Sequence, residues 1–598
     1  MAQYYKQRLP TQGGLVMKSK KLYWLIAVVV VLLCVVAVFV WKNKEQVAEA
    51  EPVELEATVG DITYSKVGPK AKEILFPIYV DDEARILALL RGDVDVYPGL
   101  TKPAEIKKVQ EDENVHLTMD LGFHMFYIGL NTGKYPTSEK AIRYALSHVV
   151  DRDKIILNLF EGFMLPLDSL VPQSSNYYYD QIAKYEYDPK KAEEILDEAG
   201  FTMGPNGIRI DPKTGKELEK FEFLTPLFEV APTSAEIGKM IAQEANKIGL
   251  PLVATPLDFN VILDKLDTFD FQMYALAWGL SREPDHLYGL FHSKNAVEGG
   301  DNTTQTKDPE IDKALEELLY ATNRDDFTKA SNKAQELLAI HQPYIVLYSR
   351  PYMNAFRTDK VKGFIPMKGY GSTEYQNLWT TLNLEPIEGD KITWLLPNEP
   401  QTFNMATASS AYDWQILGRI NDSPFAYDAE TLEDVPNWVT KATEEVWTYV
   451  DDEGNEEPNA AKVTYKMRKD VKWHDGEDFK ASDVKFTIEY LRDNKVPRYL
   501  GSVNTVVKVE TPDDYTVVVY SSTPGFLHLY DIQGLPWLPE HIWKDVTDWK
   551  GFQPWKESHP TVEGLTKLIG IGPFVFKEYN PGEYVRLERF EDYWRLKL

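Results

Sequence analysis

Tyr465-Lys466-Met467-Arg468-Lys469-Asp470-Val471-Lys472-Trp473-His474-Asp475-Gly476, continued by Ala481-Ser482-Asp483-Val484, sets a strand beside a tight turn. Residues 462–467 carry the β-branched and aromatic content of a strand. His474-Asp475 with Glu477 and Asp478 offers metal-ligand residue types. They are adjacent rather than spaced along a helix face or across strands, so the expected structure is a turn rather than a metal centre.

On either side of this run the same half of the chain is strand-rich, with strands expected at 392–396, 505–510 and 516–520. An acidic, glycine-containing stretch at 451–458 reads as a solvated hairpin tip. A short polar bridge, residues 385–390, connects this half to one in which helix and strand signals alternate. There the expected helices are 82–90, stopped by Gly92, and one capped by Ser138 that buries Ala141, Ile142, Ala145, Leu146 and Val149. Asp188-Pro189 opens a third, ending at Gly200, and Asp308-Pro309 opens a fourth. Strands are expected at 94–97, 125–130 and 344–348.

The run at 465–484 closely resembles a signature of the family 5 extracellular solute-binding proteins. Ile571-Gly572-Pro573-Phe574, Asn580-Pro581-Gly582 and Asp592-Tyr593-Trp594 are similar to the family's next landmarks. The first half resembles the same family through Leu90-Arg91-Gly92-Asp93-Val94-Asp95-Val96, Arg143-Tyr144-Ala145-Leu146 with Asp151-Arg152, and residues 188–200. In family order those landmarks come after 391–598, so the chain looks like a circularly permuted member. A broken tandem duplication and two half-domains that complete another chain are the alternatives.

The resemblance implies an α/β, two-lobed periplasmic-binding-protein-like fold of type II with an extra subdomain. Residues 68–127 fall in lobe 1, 128–347 in lobe 2, 348–390 return to lobe 1, and 391–598 complete lobe 1 with the extra subdomain at about 437–551. It also implies the function: an extracytoplasmic, monomeric substrate-binding component of an ABC importer, which captures an oligopeptide by hinge closure and hands it to permease subunits. No cofactor is expected.

Composition supports this reading by exclusion. The 598 residues carry a formal charge of -27, leaving no basic surface to neutralise phosphates, so nucleic acid is not an expected partner. The only cysteine, Cys34, excludes an internal disulfide and a thiolate metal cluster. No Gly-x-Ser-x-Gly elbow or His-Glu-x-x-His helix is present, and a polymer-degrading enzyme is the rival that these absences disfavour. Residues 22–41 are uncharged and apolar, long enough to span a bilayer at about 1.5 Å per residue. With residues 1–21 short and basic, the expectation is a cytoplasmic N-terminus, one membrane anchor, a spacer at 42–67 and a binding domain outside; secretion after signal cleavage is the alternative.

The ligand site is expected around Trp278, which follows an apolar strand at 271–277 and precedes the irregular stretch 279–285. By resemblance, a peptide-binding member holds the ligand's α-amine on an aspartate three positions after this tryptophan. Here Ser281 stands there, so Glu283 or Asp285 is the expected substitute. Trp278, Ser281 and Glu283 would suit an oligosaccharide as well, which keeps that ligand class open. On the other lobe the resemblance brings Thr407, Ser409 and Tyr412 towards the cleft.

Overall fold

Residues 55–229 and 231–598 are described in the computed structural model of the chain. The span 22–41 and Cys34 lie outside them. Among the described residues no helix is long and apolar enough to cross a membrane.

The chain folds as an α/β protein built on two main sheets. Sequence-distant strands assemble the first, in the order Lys391–Thr393, Glu73–Pro77, Tyr584–Arg589, Phe574–Asn580. Glu73–Pro77 runs parallel to Lys391–Thr393 and antiparallel to Tyr584–Arg589, so a strand of the first half is seated between two of the second. Alternation fixes its register: Ile74 and Phe76 are fully buried, facing the core that holds Ile392, Leu396 and Leu587. Isolated bridges from Trp394 to Val96 and from Leu396 to Ile78 carry this sheet towards a second, smaller one. That one is formed by Val96–Tyr97, Tyr352–Arg357 and Val115–Asp120. These two sheets form the part of the fold denoted lobe 1, and a six-stranded sheet the part denoted lobe 2.

The extra subdomain is the antiparallel sheet Val439–Val450, Glu456–Met467, Thr516–Ser521, Val506–Asp513, backed by the helix Ala481–Asp493. Its long hairpin turns at 451–455, as the acidic stretch suggests. The turn at 473–477 also forms. Trp473 N–H donates to Glu477 O, and Asp475 Oδ1 accepts the Glu477 N–H at 3.1 Å. His474 is buried, accepting the Gly570 N–H at Nδ1 and lying 3.0 Å from Gly572 O through Nε2. Burial lowers the pKa of His474 to about 4, so the ring is neutral and suited to one donor and one acceptor role. Gly570 and Gly572 are required there: a Cβ would fall 2.1 Å from Ile420 O and 2.5 Å from Asn421 O.

Lobe 2 is centred on a mixed six-stranded sheet in the order Leu165–Pro166, Tyr344–Ser349, His124–Leu130, Met273–Gly279, Phe221–Pro226, Leu252–Leu257. Apolar cores lie on both sides of it, one with Leu146, Phe223 and Ile241, the other with Leu224, Leu315 and Phe327. The first of these continues into lobe 1 at Leu89 and Leu395. Among the described residues, the chain passes between these two groups of sheets in the stretches 121–123 and 350–351. They lie side by side, with His124 Nδ1 3.2 Å from Arg350 O.

Several expectations are corrected. Residues 56–65, expected within the spacer, are folded: Glu56–Val59 pairs with Ile62–Ser65, Tyr64 is buried against Trp379, and the Asn383 side chain bonds both Ser65 N–H and Ser65 O. Ser138 does not cap a helix. Lys140–His148 begins after Glu139 with no side-chain cap, and the buried Arg143 guanidinium donates to the Thr137 and Ser138 carbonyls ahead of it. The lobe 2 sheet begins at His124, slightly before 128. Trp278 and Gly279 remain inside the strand, paired with Met125 and His124.

Candidate functional site

The Trp278 strand ends where the lobes meet. Trp278 is 39% exposed, a large ring left open to solvent at the sheet's end. Beyond it, Leu280 N–H donates to Phe123 O in the first crossing stretch, anchoring the loop to the hinge. Ser281 Oγ is taken by Asp285 Oδ1 at 2.8 Å and Glu283 O at 3.2 Å. Glu283 accepts from Arg282 Nε at 2.6 Å. Burial raises the Glu283 carboxyl above its ordinary value, and the adjoining Arg282 pulls it back down. The loop therefore leaves Trp278 open while Ser281, Glu283 and Asp285 are engaged within the loop itself.

Arg282, absent from the expected set, is the most buried charge of this loop, 2% exposed. Its Nη1 crosses to lobe 1 and donates to Leu432 O at 2.9 Å and Asp434 Oδ1 at 2.8 Å. The guanidinium lies 4.2 Å from the ring centre of Tyr427 and 4.8 Å from that of Tyr530. Burial alone would lower its pKa, but facing Tyr427, Glu283 and Asp434 raise it overall, so it stays charged. The one sequence signal was a cation beside the expected ligand residues; its lobe 1 partners, from Tyr427 to Tyr530, lie far along the chain.

Behind Tyr427, within lobe 1, is a cavity of about 290 Å³ walled by Tyr370, Tyr375, Trp414, Tyr427, Asn421, Gln533 and Arg498. Tyr370 stacks on Tyr427 with ring centres 5.8 Å apart. Arg498 lies 5.2 Å from the Trp414 ring centre at one side. Thr407, Ser409 and Tyr412 are not among its wall residues. Thr407 Oγ1 bonds Asn404 O, Ser409 is exposed, and Tyr412 begins the helix that carries Trp414 inward. Asp422, also on the wall, accepts from Tyr593 Oη at 2.8 Å and Asn437 Nδ2 at 2.6 Å. Burial raises its pKa to about 6 despite the neighbouring Arg595.

The residues best placed to hold a metal are elsewhere, Asp475 and His541 with His559 beyond them in the chain. Asp475 Oδ2 lies 2.7 Å from His541 Nε2 and 3.1 Å from His559 Nε2, a convergence that adjacency in the sequence concealed. His559 Nδ1 accepts the Thr561 and Val562 N–H groups, so its proton sits on Nε2 and points at Asp475. A metal-bound histidine instead donates from its second nitrogen. The cluster is a hydrogen-bonded knot, with His541 raised chiefly by its bond to Asp475.

The fold is a mixed α/β one, and Arg282 is held against Asp434 and Tyr427 of the sequence-distant half. A profile of the bacterial extracellular solute-binding proteins, family 5, matches residues 44–298 and 438–598, and the chain belongs to that family. It is 27% identical over 308 residues to the oligopeptide-binding protein AppA of Bacillus subtilis, covering 50% of this chain and 54% of the relative. It is 24% identical over 315 residues to a dipeptide-binding protein of Escherichia coli, covering 52% and 55%. Among solved structures, Bacillus subtilis AppA in complex with a nonapeptide is similar with a TM-score of 0.42 at 23% identity, over 52% of this chain and 59% of that one. The chain thus spans about half the length of the curated relatives it matches.

Proposed function

We propose that the chain is the extracytoplasmic substrate-binding component of an ABC importer, which captures an oligopeptide between its two lobes and presents the closed form to permease subunits. The observation that carries this reading is the pair of adjacent crossing stretches at 121–123 and 350–351. They allow one lobe to swing against the other around a ligand. Relatives named for oligopeptide and dipeptide binding support the ligand class. Trp278 offers an exposed ring, and Asp285, exposed at the loop's end, accepts from Ser281 at Oδ1 and offers its second oxygen to a ligand amine. The cavity behind Tyr427 lies near the lower end of the range of about 300–1,000 Å³ typical of small-molecule sites, which suits one bulky side chain rather than a whole oligomer. Thr407, Ser409 and Tyr412 would contribute at the rim. The apolar segment at 22–41 would anchor the chain to the membrane with this body outside.

We also read the chain order as a circular permutation, supported by the shared sheet of Glu73–Pro77, Lys391–Thr393 and Tyr584–Arg589. Calorimetry on the full chain in detergent, with panels of peptides and of β-linked oligosaccharides, tests the function. Heat from peptides only is expected. Binding of sugars alone would move the reading to carbohydrate uptake, and no binding of either would overturn it.

A further inference from the structure

Arg282 reaches out of lobe 2 into a socket that belongs to lobe 1. Its fork is met by Asp434 Oδ1 and Leu432 O, its Nε by Glu283, and its flat face by Tyr427 and Tyr530. Asp434 is the hub. Its second oxygen accepts Tyr530 Oη at 2.5 Å and lies 3.3 Å from Arg324 Nη2, and Arg324 begins a lobe 2 helix. Two lobe 2 arginines therefore converge on one lobe 1 carboxylate. Arg324 also donates to Tyr530 Oη at 2.6 Å.

The contact is built rather than incidental. Arg282 is 2% exposed, and its buried charge is met by two carboxylates, Asp434 at Nη1 and Glu283 at Nε, while Nη2 makes no hydrogen bond of its own and lies 2.5 Å from Glu283 Oε1. The loop that carries it is braced from behind, since Ser175 Oγ donates to Arg282 O at 2.9 Å. Beside it, Phe526 of lobe 1 inserts among lobe 2 side chains, edge-on to Phe327 at 4.9 Å, and its N–H donates to Ala321 O. The bonds of Arg282 to Leu432 and Asp434 and the contacts of Phe526 with Phe327 and Ala321 span the cleft.

We propose that Arg282 and Asp434 form an intrinsic clamp that holds the lobes together without ligand, and that they are positioning residues setting the resting angle of the cleft. This rests on the reading of the chain as a two-lobed binding protein. A clamp of this kind enriches the closed state beforehand, so a ligand that binds that state gains apparent affinity in proportion to the population already present.

The test is made without ligand, so it stays independent of what the cleft binds. In the full chain in detergent, with Cys34→Ser, spin labels are placed at Glu219→Cys on lobe 2 and Glu563→Cys on lobe 1, both exposed. Pulsed electron resonance then reads the interlobe distance. Asp434→Asn keeps the shape and removes the charge. It is expected to lower the closed-to-open ratio about tenfold, the change for losing a charge-assisted hydrogen bond. Arg282→Lys, which loses the fork and the stacking, should fall between that variant and the parent. If Asp434→Asn does not fold, Arg282→Lys alone decides. A distance distribution indistinguishable from the parent's in the folded variants would overturn the clamp. Peptide binding that fails with the clamp intact would count against the importer reading only.

Discussion

Replacing Asp422 by asparagine should remove a pH dependence that one buried carboxylate imposes on the whole fold. Asp422 Oδ1 accepts from Asn437 Nδ2 and Ser423 N–H, its Oδ2 from Tyr593 Oη, and its carbonyl receives Trp438 and Trp537 Nε1. An asparagine keeps this framework, accepting with its oxygen and donating to Tyr593 with its amide. Burial raises the carboxyl from 3.8 to about 6. Because the folded value lies above the unfolded one, the folded state holds the proton more tightly. The contribution is fully present below pH 3.8, is lost as pH rises towards about 6, and stays constant above. At about 1.4 kcal/mol per tenfold the full change is about 3 kcal/mol, of which about 2 kcal/mol falls between pH ~4.5 and ~6.5. Urea unfolding followed by tryptophan fluorescence at several pH values measures it. The stability of the parent relative to Asp422→Asn should decline by that amount across this window. A gap that stays constant to within a few tenths of a kcal/mol would refute the argument.

Trp473→Ala empties a fully buried site packed edge-on against Phe479, and should cost about 3–5 kcal/mol in denaturant unfolding. Gly418→Val places a Cβ 2.4 Å from Tyr375 Cδ2. It should push that ring into the lobe 1 cavity and weaken peptide binding about tenfold, with little change in fold by circular dichroism. Dividing the chain after Pro386 separates Glu73–Pro77 from both its sheet neighbours. Neither fragment should resist proteolysis alone, and two independently stable halves would contradict the shared sheet.

Local chemistry made some elements legible in the sequence. The helix Pro189–Glu198 begins at its Asp188 cap and proline, and its end needs nothing beyond Gly200. Where tertiary contacts decide, the sequence is silent. The hairpin at Glu56–Ser65 is too short to show periodicity, and it is held by Asn383 and Trp379, more than three hundred positions away. The helix expected to start at a Ser138 cap starts after Glu139 instead, and the carbonyls ahead of it are bonded by the buried Arg143. At the candidate site, Trp278 could be singled out because it ends an apolar strand beside the hinge. Arg282 could not, because a cation among polar loop residues acquires meaning only when Asp434 and Tyr530 are brought to it. The Asp475, His541 and His559 knot was hidden in the same way: 66 and 84 positions separate the aspartate from its partners.

The strand Glu73–Pro77 has a consequence for how the chain is made. Glu73 pairs with Glu588, so its partner leaves the ribosome 515 residues later. At about 5–20 residues per second that is a wait of roughly 25–100 s. The lobe 2 sheet, whose strands all lie between His124 and Ser349, can fold during that interval. Glu73–Pro77 meanwhile keeps both edges unpaired until Lys391–Thr393 is made and one until Tyr584–Arg589 is, a strong reason for a nascent chain of this order to depend on a chaperone until its last strands arrive.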